Sequence, residues 1–218
     1  MKSNFWAARD RLTMVGCVSG ERFQVNRKAA IVLPLLAALL SGCGSAAVND
    51  TYDLTAAVKA SGPSMKRRQI LIPLPTALQP LDSNQIVIRV SPREIQYLGK
   101  SQWSDKLSRI VQSKLVEAFE NTGKLGGVGV PGQGLAIDYQ IVTDIRSFEI
   151  DTAAGQKSAA VEISVKILND RSGTVKAQNV FRKVVPVSGG SNPDFVRGLD
   201  TAFAGVTAEL VDWTLRSI

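Results

Sequence analysis

The stretch VEISVKILNDRSGTVKAQNVFRKVVPV, residues 161–187, decides the fold. Its first seven residues alternate between apolar and polar side chains, which is the period of a β-strand with one buried face. The polar run at 169–173 ends in glycine and predicts a hairpin turn, after which a second strand returns over 175–187. Because only one face of these strands is apolar, the pattern predicts an antiparallel sheet with one face packed against the core and the other exposed to solvent.

A longer strand precedes this hairpin. Over 135–145 the apolar residues face one way, whereas Phe148 and Ile150 have the opposite parity. A slip of one residue near Arg146 therefore predicts a β-bulge in this strand. Shorter extended segments are predicted at 69–72, 86–90 and 95–97.

The period changes at Trp103. From there to Phe119 the apolar side chains recur mostly at steps of three and four residues, which predicts an amphipathic helix. Ser101 or Ser104 is placed to cap its start, and Gly123 is placed to end it.

A second helix is predicted to open at Asn192-Pro193, where a capping residue and a first-turn proline come together. Its apolar stripe continues to Trp213. Two helices and a sheet with one apolar face predict an α+β two-layer sandwich over residues 70–218, mostly antiparallel, with both main helices on one face.

One side of the last helix carries three small residues, Gly198, Ala202 and Gly205. Glycine costs a helix about 1 kcal/mol relative to alanine, so two glycines indicate a close approach of another backbone. Either the helix packs there on the sheet of its own chain, or these residues contact another subunit of a homo-oligomer.

The composition excludes several kinds of site. The 218 residues carry a net charge of +7, but the first 42 positions hold six basic and two acidic residues, so residues 43–218 keep only +3. We therefore expect no nucleic-acid partner. The chain has no histidine and only two cysteines, which excludes His-based triads and a zinc cluster. We expect no catalytic residue, no metal and no cofactor.

Two local patterns that resemble sites do not qualify. The G-x-G-x-x-G match at 127–132 follows a predicted helix and leads into a strand, the reverse of a nucleotide-binding fingerprint, so we interpret it as a loop. A group of carboxylates lies mostly on the polar face of one strand, which indicates solvated charge rather than acid–base catalysis. Its members are Asp138, Asp144, Glu149 and Asp151.

The first 42 residues are interpreted as an extension and an export signal. Arg27-Lys28 precede an apolar run at 29–40, which is shorter than the roughly 20 residues of a membrane-spanning helix. The following LSGC at 40–43 resembles the lipobox of bacterial lipoproteins, which implies acylation of Cys43. Residues 1–26 are unusual in a signal peptide, and a start codon assigned too far upstream explains them.

Residues 43–69 are interpreted as a lipid-anchored tether. Small and polar residues dominate its first part, and Lys66-Arg67-Arg68 closes it. The basic triplet either contacts anionic headgroups or is a solvated end before a strand. Gly44, where an acidic residue would resemble an inner-membrane retention signal, favours the outer membrane.

Several motifs together resemble one family, the auxiliary lipoprotein component of ABC-type transporters, which occurs beside substrate-binding proteins of the mammalian-cell-entry type. The resemblance covers essentially all of residues 43–218. Its motifs follow the lipobox in a typical order: Tyr52-Asp53-Leu54, IVIRV at 86–90, Ile95-Gln96-Tyr97, Trp103-Ser104-Asp105, Phe148, DRSG at 170–173, Phe181 and the helix at 194–213.

This resemblance implies a periplasm-facing lipoprotein of the cell envelope that is neither ATPase nor permease. Its partner would be a mammalian-cell-entry-type substrate-binding protein, bound near the outer membrane to complete a lipid transport path. The residues leave two alternatives open: a free-standing outer-membrane binding or assembly lipoprotein, and a small hydrolase.

Overall fold

A computed structural model describes residues 49–55, 61–153 and 155–218. Cys43 and the export signal predicted before it lie outside these residues. The elements in chain order are β1 (Asp50–Tyr52), β2 (Met65–Leu71), β3 (Thr76–Ala77), β4 (Gln85–Ser91), β5 (Glu94–Trp103), α1 (Leu107–Asn121), β6 (Leu125–Gly129), β7 (Tyr139–Asp151), β8 (Ser158–Asn169), β9 (Val175–Pro186) and α2 (Asn192–Ser217).

The long strands β7, β8 and β9 form an antiparallel meander, as the sequence predicted. The register of β7 against β8 shifts between Ile145 and Ser147, which confirms the predicted bulge. The turn after β8 is built by Asn169, whose side-chain oxygen accepts hydrogen bonds from the backbone N–H groups of Arg171 and Ser172, both at 3.1 Å. Gly173 closes this turn with φ +67°, a conformation that glycine adopts without strain.

Short strands line the other edge of β7. β2, β3 and β4 pair with it one after another, all in parallel. β6 extends the sheet beside β2, and β5 and then β1 extend it beside β4. The longest pairings are antiparallel, so the predicted α+β sandwich with a mostly antiparallel sheet is confirmed, with the parallel pairings of the short strands as an addition.

Both helices contribute to one continuous core on the same side of the sheet. At its centre the ring of Trp103 lies edge-on to Phe148, with centroids 5.8 Å apart, and Phe148 lies 5.9 Å from Phe203 of α2. Aromatic pairs of this geometry contribute about 0.5–1.5 kcal/mol beyond their buried area. The rings of β5, β7 and α2 thus join the sheet to the helical layer.

The predicted start of α1 was wrong. Trp103 is the last residue of β5, and the helix begins at Leu107 after Lys106, which has no side-chain capping bond. Ser101 lies buried in β5 and accepts a hydrogen bond from the Asn192 amide at 2.8 Å. The four-residue step from Trp103 to Leu107 resembled helical spacing because both side chains enter the same core.

The ends of the two helices otherwise follow the prediction. α1 ends at Asn121, and Gly123 follows with φ +59°. α2 begins one residue earlier than predicted, because Ser191 is the N-cap residue and forms a reciprocal capping box with Asp194. The pKa of Asp194 is lowered, chiefly by the hydrogen bond from the Ser191 hydroxyl.

The first part of the glycine-rich segment after α1 is a strand rather than a loop, whereas residues 130–132 form a loop as predicted. Residues 125–129 form β6 and pair in parallel with β2. The prediction failed because four of these five residues are glycine or valine, so no alternation of apolar and polar side chains marks the strand.

Much of the predicted tether belongs to the folded domain. Tyr52 pairs with Trp103 at the edge of the sheet, and Leu54 is buried in the core. Further on, residues 65–69 lie in β2. We call residues 49–55 and 61–64 the strap, because each of these two segments is bound by a carboxylate of α2.

Two carboxylates of α2 bind the strap. Asp200 accepts hydrogen bonds from the backbone N–H of Thr55 at 2.8 Å and from its hydroxyl. Asp212 accepts from the N–H and hydroxyl of Ser61, at 2.6 and 2.7 Å, and from the N–H of Gly62 at 3.0 Å. These bonds, with that of the Ser61 side chain first, lower the pKa of Asp212 against the opposing effect of burial.

Candidate interaction surface

The described residues offer little material for chemistry. Within 49–55, 61–153 and 155–218, no three His, Cys, Asp or Glu side chains group as metal ligands would. Over the same residues no helix combines the length and the apolar character that crossing a bilayer requires. The candidate site described below is a surface of the domain.

The largest candidate is the side of the sheet that faces away from both helices, which we call the open face. One row crosses it from β5 to β9, since Tyr97 pairs with Val87, Val87 with Glu149, Glu149 with Ala160 and Ala160 with Val184. Paired residues in neighbouring strands place their side chains on the same face. Tyr97 and Val184 are exposed at the two ends of this row, and Val87, Glu149 and Ala160 are buried between them.

An ion pair fixes part of the open face. The guanidinium of Arg89 donates to Glu149 at 2.6 Å through Nε and at 2.8 Å through a terminal nitrogen, which is the two-bond geometry of a strong pair. These bonds raise the pKa of Arg89 against desolvation. Glu149 is buried, so the prediction that this carboxylate is solvated was wrong, because Arg89 covers it.

A second group of charges lies beside this row. Arg146 is 3.5 Å from Asp144 and 3.9 Å from Glu162, and Glu162 is also 3.6 Å from Arg182. These side chains join β7, β8 and β9 across the open face. Each exposed pair contributes little stability, so the network matters more as a patterned polar surface.

Apolar side chains surround these charges. Val180 and Val184 of β9 are 44% and 50% exposed, Tyr97 is exposed on β5, and Leu78 beside β3 is exposed as well. Protein interfaces combine apolar and aromatic side chains with a polar rim. The open face has this composition, and the alternation in β8 and β9 already predicted an uncovered face, although not the ion pair.

The small residues of α2 face the sheet of their own chain. A Cβ atom on Gly198 would lie 2.8 Å from Val187 Cγ2 and 3.2 Å from Ala159 Cβ, and one on Gly205 would lie 3.2 Å from the Lys183 side chain. Ala202 is fully buried. These contacts support the packing alternative, and a subunit contact through Gly198, Ala202 and Gly205 stays a prediction.

Known proteins resemble this chain in sequence and in structure. An uncharacterized protein of Bradyrhizobium diazoefficiens is 28% identical over 193 residues, which are 82% of this chain and 48% of that protein. The chain thus spans about half the length of this relative. The crystal structure of protein XCC0632 from Xanthomonas campestris is 29% identical with a TM-score of 0.70, covering 77% of this chain and 95% of that one. The crystal structure of another uncharacterized protein has a TM-score of 0.61 at 15% identity, covers 77% of this chain and 99% of that one, and shows the fold alone.

A family model describes almost the whole folded domain. The model for the ABC-type transport auxiliary lipoprotein component matches residues 52–211, which extend from the last residue of β1 into the last third of α2. The match includes the open face and the strap contact of Thr55 with Asp200, and it ends one residue before Asp212. The chain therefore belongs to the family of ABC-type transport auxiliary lipoprotein components.

Proposed function

We propose that this protein is a lipid-anchored subunit of an ABC-type lipid transport system of the mammalian-cell-entry type. In this role it faces the periplasm, at the outer rather than the inner membrane, and acts by contact without catalysis. Family membership supports the association with a transporter and with the cell envelope. The mammalian-cell-entry partner rests on the resemblance of the motifs at 52–54, 86–90 and 95–97.

The observation that carries the proposal is the open face. Most of its charged side chains pair with one another, so its exposed apolar side chains are the part that gains most free energy when water is removed. A partner that covers Val180 and Val184 would bury both side chains, each worth about 1.5–3 kcal/mol when fully transferred from water. We propose that the substrate-binding protein contacts this face.

Two double variants test the contact. Val180→Glu/Val184→Glu places charge on the open face in its edge strand β9, and the control Ser113→Glu/Thr201→Glu places the same charge at exposed positions of α1 and α2, on the other side of the sheet. We expect Val180→Glu/Val184→Glu to bind the mammalian-cell-entry-type substrate-binding protein at least 10-fold more weakly than wild type does, and the control to bind it like wild type. Binding is measured by pull-down and titration with the full chain.

The outcomes separate the partner from the surface. If both variants bind as tightly as wild type, the open face is not the contact surface, although the proposed partner still stands. No complex at about 10 μM, with the partner folded and oligomeric, would refute the transporter role in favour of a free-standing envelope lipoprotein. Light scattering of the same samples measures whether the protein forms the proposed homo-oligomer.

The anchor needs its own experiment. We propose that Cys43 is acylated, because it ends the LSGC motif. The variant Cys43→Ser should lose incorporation of labelled fatty acid and leave the membrane fraction. Unchanged labelling of this variant would contradict the assignment.

A further inference from the structure

The basic triplet lies in a distortion of β2. Met65 pairs with Leu125 of β6, whereas Gln69 pairs with Gly127, so four steps along β2 match two steps along β6. Two extra residues are therefore inserted, and the chain bulges at Lys66, Arg67 and Arg68. We call these three residues the basic bulge. A regular strand would turn alternate side chains to opposite faces, but here all three are exposed.

The partner strand makes room for this bulge. A Cβ atom on Gly126 would lie 2.5 Å from the carbonyl oxygen of Lys66 and 3.2 Å from that of Arg68. Only glycine at this position lets the backbone of the bulge lie against β6. The bulge therefore packs closely against the backbone of β6, which distinguishes it from a frayed strand end.

The surroundings of the bulge are positively charged. Among the described residues, Arg68 has one acidic neighbour, Asp138 at 3.6 Å, and neither Lys66 nor Arg67 forms an ion pair. Arg68 also lies 5.7 Å from the ring centre of Tyr139, and the ammonium of Lys176 lies 4.8 Å from the same ring. Four cations with one carboxylate between them form a surface that attracts anions.

The bulge stands at one end of the strap. Asp200 and Asp212 hold the strap to α2 at points twelve residues apart, which is about 18 Å along a helix. The described strap begins at Asn49, six residues after Cys43, and its other end leads directly into the bulge. Along the chain, the strap therefore connects the segment that follows the predicted anchor with the cations of the bulge.

We propose that the basic bulge docks on the phosphate headgroups of an anionic phospholipid bilayer. Lys and Arg side chains suit such a surface because each is attracted to its negative potential. The anchor and the bulge would then be two separate points of attachment to the same membrane, one before and one after the strap in the chain. The inference rests on the membrane attachment in the proposed function, but it does not need the transporter partner.

Vesicle binding tests the proposal. The full chain with Cys43→Ser, which removes the acylation site, is titrated with vesicles of phosphatidylcholine alone and of phosphatidylcholine mixed with phosphatidylglycerol. Adding Lys66→Gln/Arg67→Gln should weaken binding to the anionic vesicles roughly 25-fold, since each cation near such a surface contributes about five-fold. Binding to the neutral vesicles should not change. Higher ionic strength should remove the difference between the two chains.

A matched control removes the same charge elsewhere. Arg93→Gln/Arg109→Gln neutralises one residue in the turn between β4 and β5 and one in the first turn of α1. This control should retain the anionic binding of the parent chain. An equal loss in both double variants, or no loss in either, would overturn the proposal. Full displacement by inorganic phosphate would also overturn it, because the bulge would then be a site for a free anion.

Discussion

Replacing Trp103 by alanine should remove the centre of the core. The side chain is 1% exposed, and its ring lies 5.8 Å from Phe148 at an interplanar angle of 85°. Truncating a buried tryptophan costs about 3–5 kcal/mol, and the lost edge-to-face pair places Trp103→Ala in the upper half of that range. For a domain of this size each kcal/mol lowers the melting temperature by about 2–4 °C, so we expect a fall of roughly 10–15 °C.

Urea unfolding followed by circular dichroism measures this change, and the dependence of free energy on urea should keep its slope. Trp213→Ala is the control, because Trp213 is half-buried and contacts Phe181 with ring centres 5.6 Å apart. It should cost about 1–3 kcal/mol. If Trp103→Ala unfolds within about 1 kcal/mol of wild type but loses its partner, the core role of Trp103 is refuted.

Three further predictions concern the strap, the last helix and the open face. Asp212→Asn should loosen the strap at neutral pH, which is measured as faster hydrogen exchange at Ser61. Because the folded pKa of Asp212 is lowered, the carboxylate stabilises the fold above the unfolded value of about 3.9, and this stabilisation is lost as pH falls through the folded pKa. Wild type and variant should therefore have the same stability in urea titrations at acid pH. Gly198→Ala should lower the free energy of unfolding by about 1 kcal/mol net, because the new Cβ meets Val187 and Ala159. Gly205→Ala should raise it by up to about 1 kcal/mol, because the new Cβ meets only the side chain of Lys183, which can move. Thermal melts that rank the two variants the other way would contradict this. Arg89→Gln should cost about 1–3 kcal/mol in urea unfolding by leaving the Glu149 carboxylate buried without its charged partner, and Arg89→Lys should recover part of this loss.

The sequence predicted the elements whose pattern is local. β8 alternates over 161–167 and β7 keeps one parity up to its bulge, so these strands, the bulge near Arg146 and the turn at 169–173 could all be predicted. The open face follows from the same alternation. Helix α2 was equally clear, because its proline, its capping residue and its stripe agree.

The errors arose where distant residues decide the structure. Trp103 belongs to a strand because β1 and β4 pair with β5, and nothing within a few residues of Trp103 shows this. The strap looked like a tether because its polar residues find their partners, Asp200 and Asp212, about 150 residues later. The basic triplet was visible in the sequence, but the bulge that contains it depends on the space that Gly126 leaves.

The strap also determines how the protein would respond to mechanical load. If Cys43 is held in a membrane and the domain is pulled by a partner, tension enters at Asn49 and first reaches the short pairing of β1 with β5. The bonds to Asp200 and Asp212 would yield next, one after the other, before any long strand is loaded. The chain from 49 to 64 has a contour length of about 50 Å, which loss of these bonds would make available for extension. The domain would then work as an extensible link: the chain between residues 43 and 49 spans at most about 20 Å, and the chain between 43 and 64 at most about 70 Å, while the core stays folded.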